Sequence, residues 1–413
     1  MTAPSPSLDA SAHEHPDDRR VMRRILSVVF FNFVAYLAVG LPLAVIPGFV
    51  HDHLGYSAVV AGLSVSIQYL ATLLSRPWAG NLCDVQGPKR SVLTGLTLCV
   101  GSGALTLMAA ACGDTAWLGL TVLFAARLVL GAGESLVTTG TIAWGIGSAG
   151  ARHTGKVISW NGMTTYGALA VGAPLGVVLS DVGGLMSIGA VTMLITAIAL
   201  LLARRKSPSA IIKGERLPFR RVFRAMTPFG ICLALGSVGF GSITAFITLY
   251  YGSRGWDHAA FALTSLGTCF ILSRLLLADA INRFGGYPVA IASFAVEAAG
   301  LAMLWLAQSP WQALAGAAVT GFGFALVFPS LGMEAVKRVP QTNRGSALGA
   351  YSLFLDFALG LTGPLAGLIV KHAGYAPVYL FASLAAIIAL VMSRVIAVRY
   401  GQDNRSQQYA SVR

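Results

Sequence analysis

"SRPWAGNLCDVQGPKR", Ser75 to Arg90, sets Arg76, Asp84, Lys89 and Arg90 between two long apolar runs. In the whole chain of 413 residues only 11% are charged and 55% are hydrophobic, whereas an ordinary soluble domain is about one-quarter charged. Charge this sparse identifies an integral membrane protein, and the quoted stretch reads as the loop between two of its spans.

Working outward, apolar runs of about 18 to 25 residues recur, each long enough to cross a hydrocarbon core of roughly 30 Å as a helix. Twelve are distinguishable. The first six are Ile25–Val50, Ala58–Gly80, Ser91–Cys112, Trp117–Gly140, Val157–Ser180 and Leu185–Ala203. The second six are Ala225–Tyr251, Ala259–Asp279, Tyr287–Gln308, Trp311–Ala335, Ser346–Val370 and Ala376–Val398. The first run is too long for a signal-peptide core and is followed by further spans, so it reads as a retained helix. The expected fold is all-α, with twelve transmembrane helices in two six-helix bundles, 25–203 and 225–398. The basic segment 204–224 would link them, and polar tails, 1–24 and 399–413, would be disordered.

The net charge of +13 is spread by loop, not gathered on one soluble face. With the N-terminus placed in the cytoplasm, 24 Lys and Arg fall on cytoplasmic segments and only Arg254 and Lys371 on the other side. The positive-inside rule then puts both termini in the cytoplasm. Nucleic acid is excluded as a partner, because no basic soluble domain is present; the bilayer and its anionic head groups are the expected partner of the basic linker. The five Cys show no CxxC or Cys/His spacing, and His51 and His53 lack further ligands, so neither a metal nor a cofactor is expected. "GARHTGKV", Gly150 to Val157, contains GxxxxGK, but Val157 replaces the magnesium-binding Ser/Thr and no strand precedes it. With no hydrolytic or redox constellation visible, an enzyme is not expected.

The chain also repeats itself. At an offset of 198, Ser75, Arg76, Asp84 and Gly87 fall on Ser273, Arg274, Asn282 and Gly285; at 190, Gly131, Gly133, Gly155 and Pro174 fall on Gly321, Gly323, Gly345 and Pro364. Matching landmarks in matching order point to a duplicated, pseudo-symmetric bundle with a path between its halves.

With these residues in view, the chain resembles the major facilitator superfamily. Gly80, Asp84, Gly87, Lys89 and Arg90 look like its signature loop, and Arg127, Gly131 and Gly133 look like its fourth-helix motif. "GMTTYGALAVGAPLG", Gly162 to Gly176, and "LPLAVIP", Leu41 to Pro47, are similar to the bacterial efflux-permease-like group of its proton-coupled drug-efflux branch. Val85 stands where the family has a basic residue, and "GAPLG" departs from its usual Gly-Pro order. The resemblance implies a conformational gate at the quoted loop: Asp84 as a latch, Gly80 for close helix approach, Gly87 to turn the chain, Lys89 and Arg90 as anchors. Arg76 and the second-half residues Arg274, Asn282, Arg283 and Gly285 join this set, with Asp279 beside it.

Ionisable groups at membrane depth are functional candidates by default. Arg127 and Glu134, seven apart, share a helix face and one polar cavity, with Asn32 and Tyr36 on the first span facing the arginine. Arg127 would tune a nearby carboxyl through a proton cycle, or else clamp helices together. Asp356 in the eleventh span is a further candidate, and Tyr166 occupies its counterpart position. Glu297, in a span that is peripheral in this architecture, is expected to face a lipid head group or another helix. Gly172, Pro174 and Gly176, with Gly363, Pro364 and Gly367, would supply close packing and bends. Trp144, Trp160 and Trp256 are expected as interface anchors. The expected activity is proton-driven export of a small organic compound by a monomer in the bacterial inner membrane. A metabolite uptake symporter or facilitator and a non-transporting membrane sensor are the alternatives.

Overall fold

Lipid offers the backbone no hydrogen bonds, so each apolar run must satisfy its own, and helix is the form that does so. The computed structural model describes residues 16–112, 115–150, 153–209, 219–339 and 344–410, and among these the regular structure is helical throughout, with no strand. The first half comprises α1 (Pro16–Leu43), α2 (Ile46–Gly48), a π-helical turn (Phe49–His53), α3 (Ala58–Gln86), α4 (Pro88–Ala111), α5 (Ala116–Ala149) and α6 (Thr154–Arg205). The second comprises α7 (Phe219–Ser253), α8 (Ala260–Leu276), α9 (Ala280–Phe284), α10 (Gly286–Trp305), α11 (Pro310–Phe324), α12 (Val327–Val336), α13 (Arg344–Ala373) and α14 (Ala376–Ala410).

Among the described residues, ten stretches are long and apolar enough to cross a membrane. One of them, the 52-residue α6, bends at Gly183 and Gly184 and supplies two passes; the shorter α8 supplies another. The twelve expected passes follow. Gly184 makes the turn possible, because its φ of +60° and ψ of −154° belong to a region essentially reserved for glycine. The first and tenth passes are interrupted, not continuous: α1 gives way to α2 beside Pro47, and α11 to α12 just before Pro329. A proline lacks the donor that would continue the preceding helix but fits a new first turn.

Helix also extends beyond the apolar runs. Residues from Pro16 and up to Ala410 are helical, where the sequence pointed to tails beginning after 398 and ending at 24. Once a span has nucleated a helix, adding residues to its end is cheap. The remainder of those tails, 1–15 and 411–413, and linker positions 210–218 lie outside the described residues.

The duplication reappears as packing. In the first half α3 and α4 pack on α5, and α6 packs on α1 and α4; in the second, α8 and α10 pack on α11, and α7 and α10 pack on α13 and α14 respectively. The repeated glycines do equivalent work. A Cβ on Gly131 would strike the Gln68 carbonyl of α3, and one on Gly321 the Leu266 carbonyl of α8; Gly133 and Gly323 meet α4 and α10 in the same way.

The halves join along α3 with α13 and along α6 with α8. At the end away from the termini the joint is tight. Ser66 accepts the Gly363 amide at 3.0 Å, a Cβ on Gly62 would come within 2.7 Å of Phe246, and one on Gly367 within 2.7 Å of Val59. At the terminal end no comparable packing among the described residues joins α5 to α12 or α13.

Candidate functional site

Within the first half a polar chain crosses otherwise apolar helices, and it reaches the second half at Arg76. Asn32 of α1 donates to the hydroxyls of Thr164 (3.2 Å) and Thr165 (2.9 Å) and to the Asn161 carbonyl (3.1 Å) on α6. Its own oxygen accepts from Thr138 of α5 at 3.1 Å. One turn further along α1, Tyr36 interacts with Glu134. Glu134 also accepts from Gln68 of α3 at 2.6 Å, with Thr72 at 3.5 Å from the same oxygen. Gln68 can come so near because Gly131, one turn before Glu134, leaves no Cβ between α5 and α3.

From Gln68 and Thr72, α3 leads one turn on to Arg76, whose Nε donates to Asp356 at 2.7 Å and Nη2 at 3.3 Å. This two-point contact joins the first half to the second; the Asp356 side chain is only 3% exposed. Two-point guanidinium–carboxylate contacts fix geometry as well as charge. Arg76, assigned from the sequence to the gate, therefore belongs with Asp356 at membrane depth.

Arg127 is in electrostatic reach of Glu134 and Tyr69 but hydrogen-bonds to neither. Its Nε donates to the Ser64 carbonyl at 3.3 Å, while Nη1 and Nη2, fully buried, have no partner among the described residues. Asn32 and Tyr36 do not face it as expected. They lie near the level of Thr138 and Glu134, because α1 packs on α6 and on the later turns of α5, whereas Arg127 is turned to α3. Glu297 faces another helix, one of the two alternatives expected for it. It is 0% exposed, set against Gly236 and Gly239 of α7, and neither carboxyl oxygen has a hydrogen-bond partner among the described residues. Glycines on α7 make room for a side chain whose own helix α10 could otherwise have turned it outward.

Tyr166 lies apart from the proton candidates, in an aromatic cluster. Its ring stacks on Phe270 at 3.6 Å and meets Phe240 edge-on at 5.5 Å. Arg274 lies over the other partner of that stack, 5.0 Å from the Phe270 centroid, and donates to the Ala325 carbonyl at 3.0 Å.

At the signature loop, Gly87 ends α3 and starts α4 with φ of +93°, and Gly285 does so between α9 and α10 with φ of +87°. Those left-handed turns explain why glycine repeats there. Lys89 donates to the Arg204 carbonyl at 2.9 Å, so it closes the exposed end of α6 besides marking topology. Asp84, Arg90 and Asn282 are solvent-facing or half-exposed, and Arg283 covers Phe284. Gly80 was expected to permit close approach, but a Cβ there would meet nothing within 4 Å; its neighbour Ala79 makes the packed contact. Trp144 is likewise no interface anchor: it is fully buried, stacked on Phe31, with its indole donating to Ser207.

The Gly-Pro series divide the packing between them. Gly172 and Gly176 press α6 onto Gly40 and Leu41 of α1, within one half, whereas Gly363 and Gly367 press α13 onto α3 across the halves. Pro174 and Pro364 sit inside helices that continue through them. Thr138, Asn161, Thr164, Thr165 and Gln68 were missed by sequence reasoning, since uncharged polar residues scattered among Ala and Gly carry no distinct signal.

The family model for the Major Facilitator Superfamily matches residues 28–278 and 258–410. An MFS-type transporter of Burkholderia pseudomallei is 54% identical over 376 residues, covering 91% of this chain and 92% of that protein. An MFS-type transporter of Pseudomonas aeruginosa is 53% identical over 390 residues, covering 94% and 96% respectively. Among solved structures, a D-xylose–proton symporter superposes with a TM-score of 0.73 at 15% identity, over 89% of this chain and 97% of that one.

Proposed function

This chain belongs to the major facilitator superfamily and is a multi-pass membrane transporter, and from that premise we propose that it exports a small organic compound in exchange for protons. The observation that carries the reading is the setting of Glu134. It is a buried carboxyl at the meeting of α1, α3 and α5, held by Gln68, Thr72 and Tyr36. No salt bridge among the described residues locks it, so a proton can arrive and leave without breaking one. Asp356 is committed to Arg76 instead, and that pair spans the two halves.

Alternating access would then work as follows. The joint at Gly62, Ser66 and Gly363 closes the outer side, whereas at the inner side no comparable packing among the described residues joins α5 to α12 or α13, and we read this as an inward-facing state. Rocking of the halves opens that joint and brings Glu134 to outside solvent, where it takes up the proton that exchanges for cargo. Export draws support from the Gly162–Gly176 series, which resembles that of proton antiporters, and the unequal distribution of Lys and Arg supports cytoplasmic termini in a bacterial inner membrane.

Everted membrane vesicles test the reading. With a respiration-driven proton gradient established, addition of a transported compound from a panel of amphipathic molecules should discharge part of it, and Glu134→Gln should abolish that response. A panel in which no compound discharges the gradient, or a Glu134→Gln variant that responds like wild type, refutes antiport. Uptake symport would instead appear as compound accumulation in right-side-out vesicles.

A further inference from the structure

The pseudo-twofold axis allows the two joints between the halves to be compared side chain by side chain. Where α3 meets α13, Arg76 is neutralised by Asp356 at 2.7 Å. The corresponding joint of α8 with α6 carries Arg274, the equivalent of Arg76, and Tyr166, the equivalent of Asp356. Here a basic residue has been kept and its acid has not.

Arg274 is held in place nonetheless. Nε is fixed on Ala325, the guanidinium rests on Phe270, and its outer nitrogens lie over Gly162 of the opposite half, where a Cβ would come within 3.0 Å of Nη1. Neither Nη1 nor Nη2, nor the Tyr166 hydroxyl, donates to any group among the described residues, and the arginine and tyrosine are in electrostatic reach of each other. A guanidinium at membrane depth without a counter-charge is costly, and a cation–π contact offsets only part of that cost. Two unused donor groups, one from each half, thus stand beside a stacked pair of rings. That is the chemistry of a carboxylate receptor with an aromatic wall.

We propose that Arg274 and Tyr166 bind the carboxylate of an organic monoanion whose planar or aromatic body lies against the half-buried Tyr166 ring. The cargo supplies on this joint the acid that Asp356 supplies on the other, and, by touching both halves, it links its own binding to their movement. The proposal names the class of cargo for the transporter described above and rests on that reading.

Binding by the purified full chain in lipid nanodiscs tests it without any proton gradient. The probes are benzoate and phenylacetate, each compared with its neutral amide at equal sodium chloride, and the readout is the concentration-dependent rise in melting temperature. Both acids should stabilise the wild type and both amides should not. Arg274→Gln should weaken acid binding at least about tenfold, the effect of losing a charge-assisted contact, Arg274→Lys should restore part of it, and Tyr166→Phe should weaken it by several fold. The proposal falls if acids and amides act alike, if Arg274→Gln binds the acids as wild type does, or if the loss follows Arg127→Gln instead. Should Arg274→Gln fail to elute as a single folded species, the acid–amide comparison on the wild type decides. A failed antiport assay leaves this binding result standing, and failure here leaves antiport standing.

Discussion

Arg76 and Asp356 lie 280 positions apart in sequence and 2.7 Å apart in the fold. Each was visible as a charge in an apolar run, but nothing local tied one to the other, and their contact assigns both a role that neither spacing nor motif gives. Removing one partner of such a buried pair leaves the other charge unsolvated. We therefore expect Arg76→Gln and Asp356→Asn each to destabilise the protein by about 3–5 kcal/mol, and the double variant to lose less than the sum of the two, measured by thermal denaturation in detergent. Additive losses would show that the pair contributes nothing of its own. Glu134→Gln is expected to do the opposite: a neutral amide can keep the Gln68 and Thr72 contacts, so folding should be close to wild type while proton-linked transport is lost. A melting temperature lowered by as much as in Asp356→Asn would make Glu134 a structural residue.

At the scale of helices, small residues decide where elements approach and turn. The Gly183–Gly184 bend converts one helix of 52 residues into two passes, and Gly184→Ala would force a side chain into a backbone region that only glycine occupies freely. The expected cost is about 1–3 kcal/mol, seen as a lower yield of folded protein and a lower melting temperature; an unchanged melting temperature would mean that the bend relaxes without strain. Gly363 has a different function. A larger side chain there would collide with Gly62 and Ser66 across the halves. Gly363→Val is expected to open the outer joint, increasing labelling by an impermeant thiol reagent of a cysteine placed at Val59; labelling no greater than in the Val59→Cys parent would show that the joint tolerates the added bulk. Gly363 was present in the sequence reading, but as a generic packing residue, and Gly184 was not singled out there at all. Whether a GxxxG series joins helices within a half, as Gly172 and Gly176 do, or between halves, as Gly363 and Gly367 do, depends on which helix arrives opposite it.

For the whole molecule, the Lys and Arg distribution predicts that a fluorescent-protein fusion at either terminus will fluoresce and that an alkaline phosphatase fusion there will be inactive. The reverse pattern would invert the membrane orientation and with it the direction assigned to transport. Twelve passes, their duplication and their all-helical character follow from chain-local physics. A run of about twenty apolar residues satisfies its own hydrogen bonds in lipid whatever its neighbours do, and repeated landmarks survive as a simple offset. Asp356, Glu134 and Arg127 stood out for a similarly local reason, because any charge at that depth is conspicuous. Their partners were a matter of tertiary structure alone. Gln68 against Glu134, Arg76 against Asp356, and Arg274 beside Tyr166 with no acid paired to the arginine among the described residues all arise from how helices distant in sequence cross and rotate about their axes. Those crossings are set by side-chain packing over whole helix faces, a property that no single stretch of the chain contains.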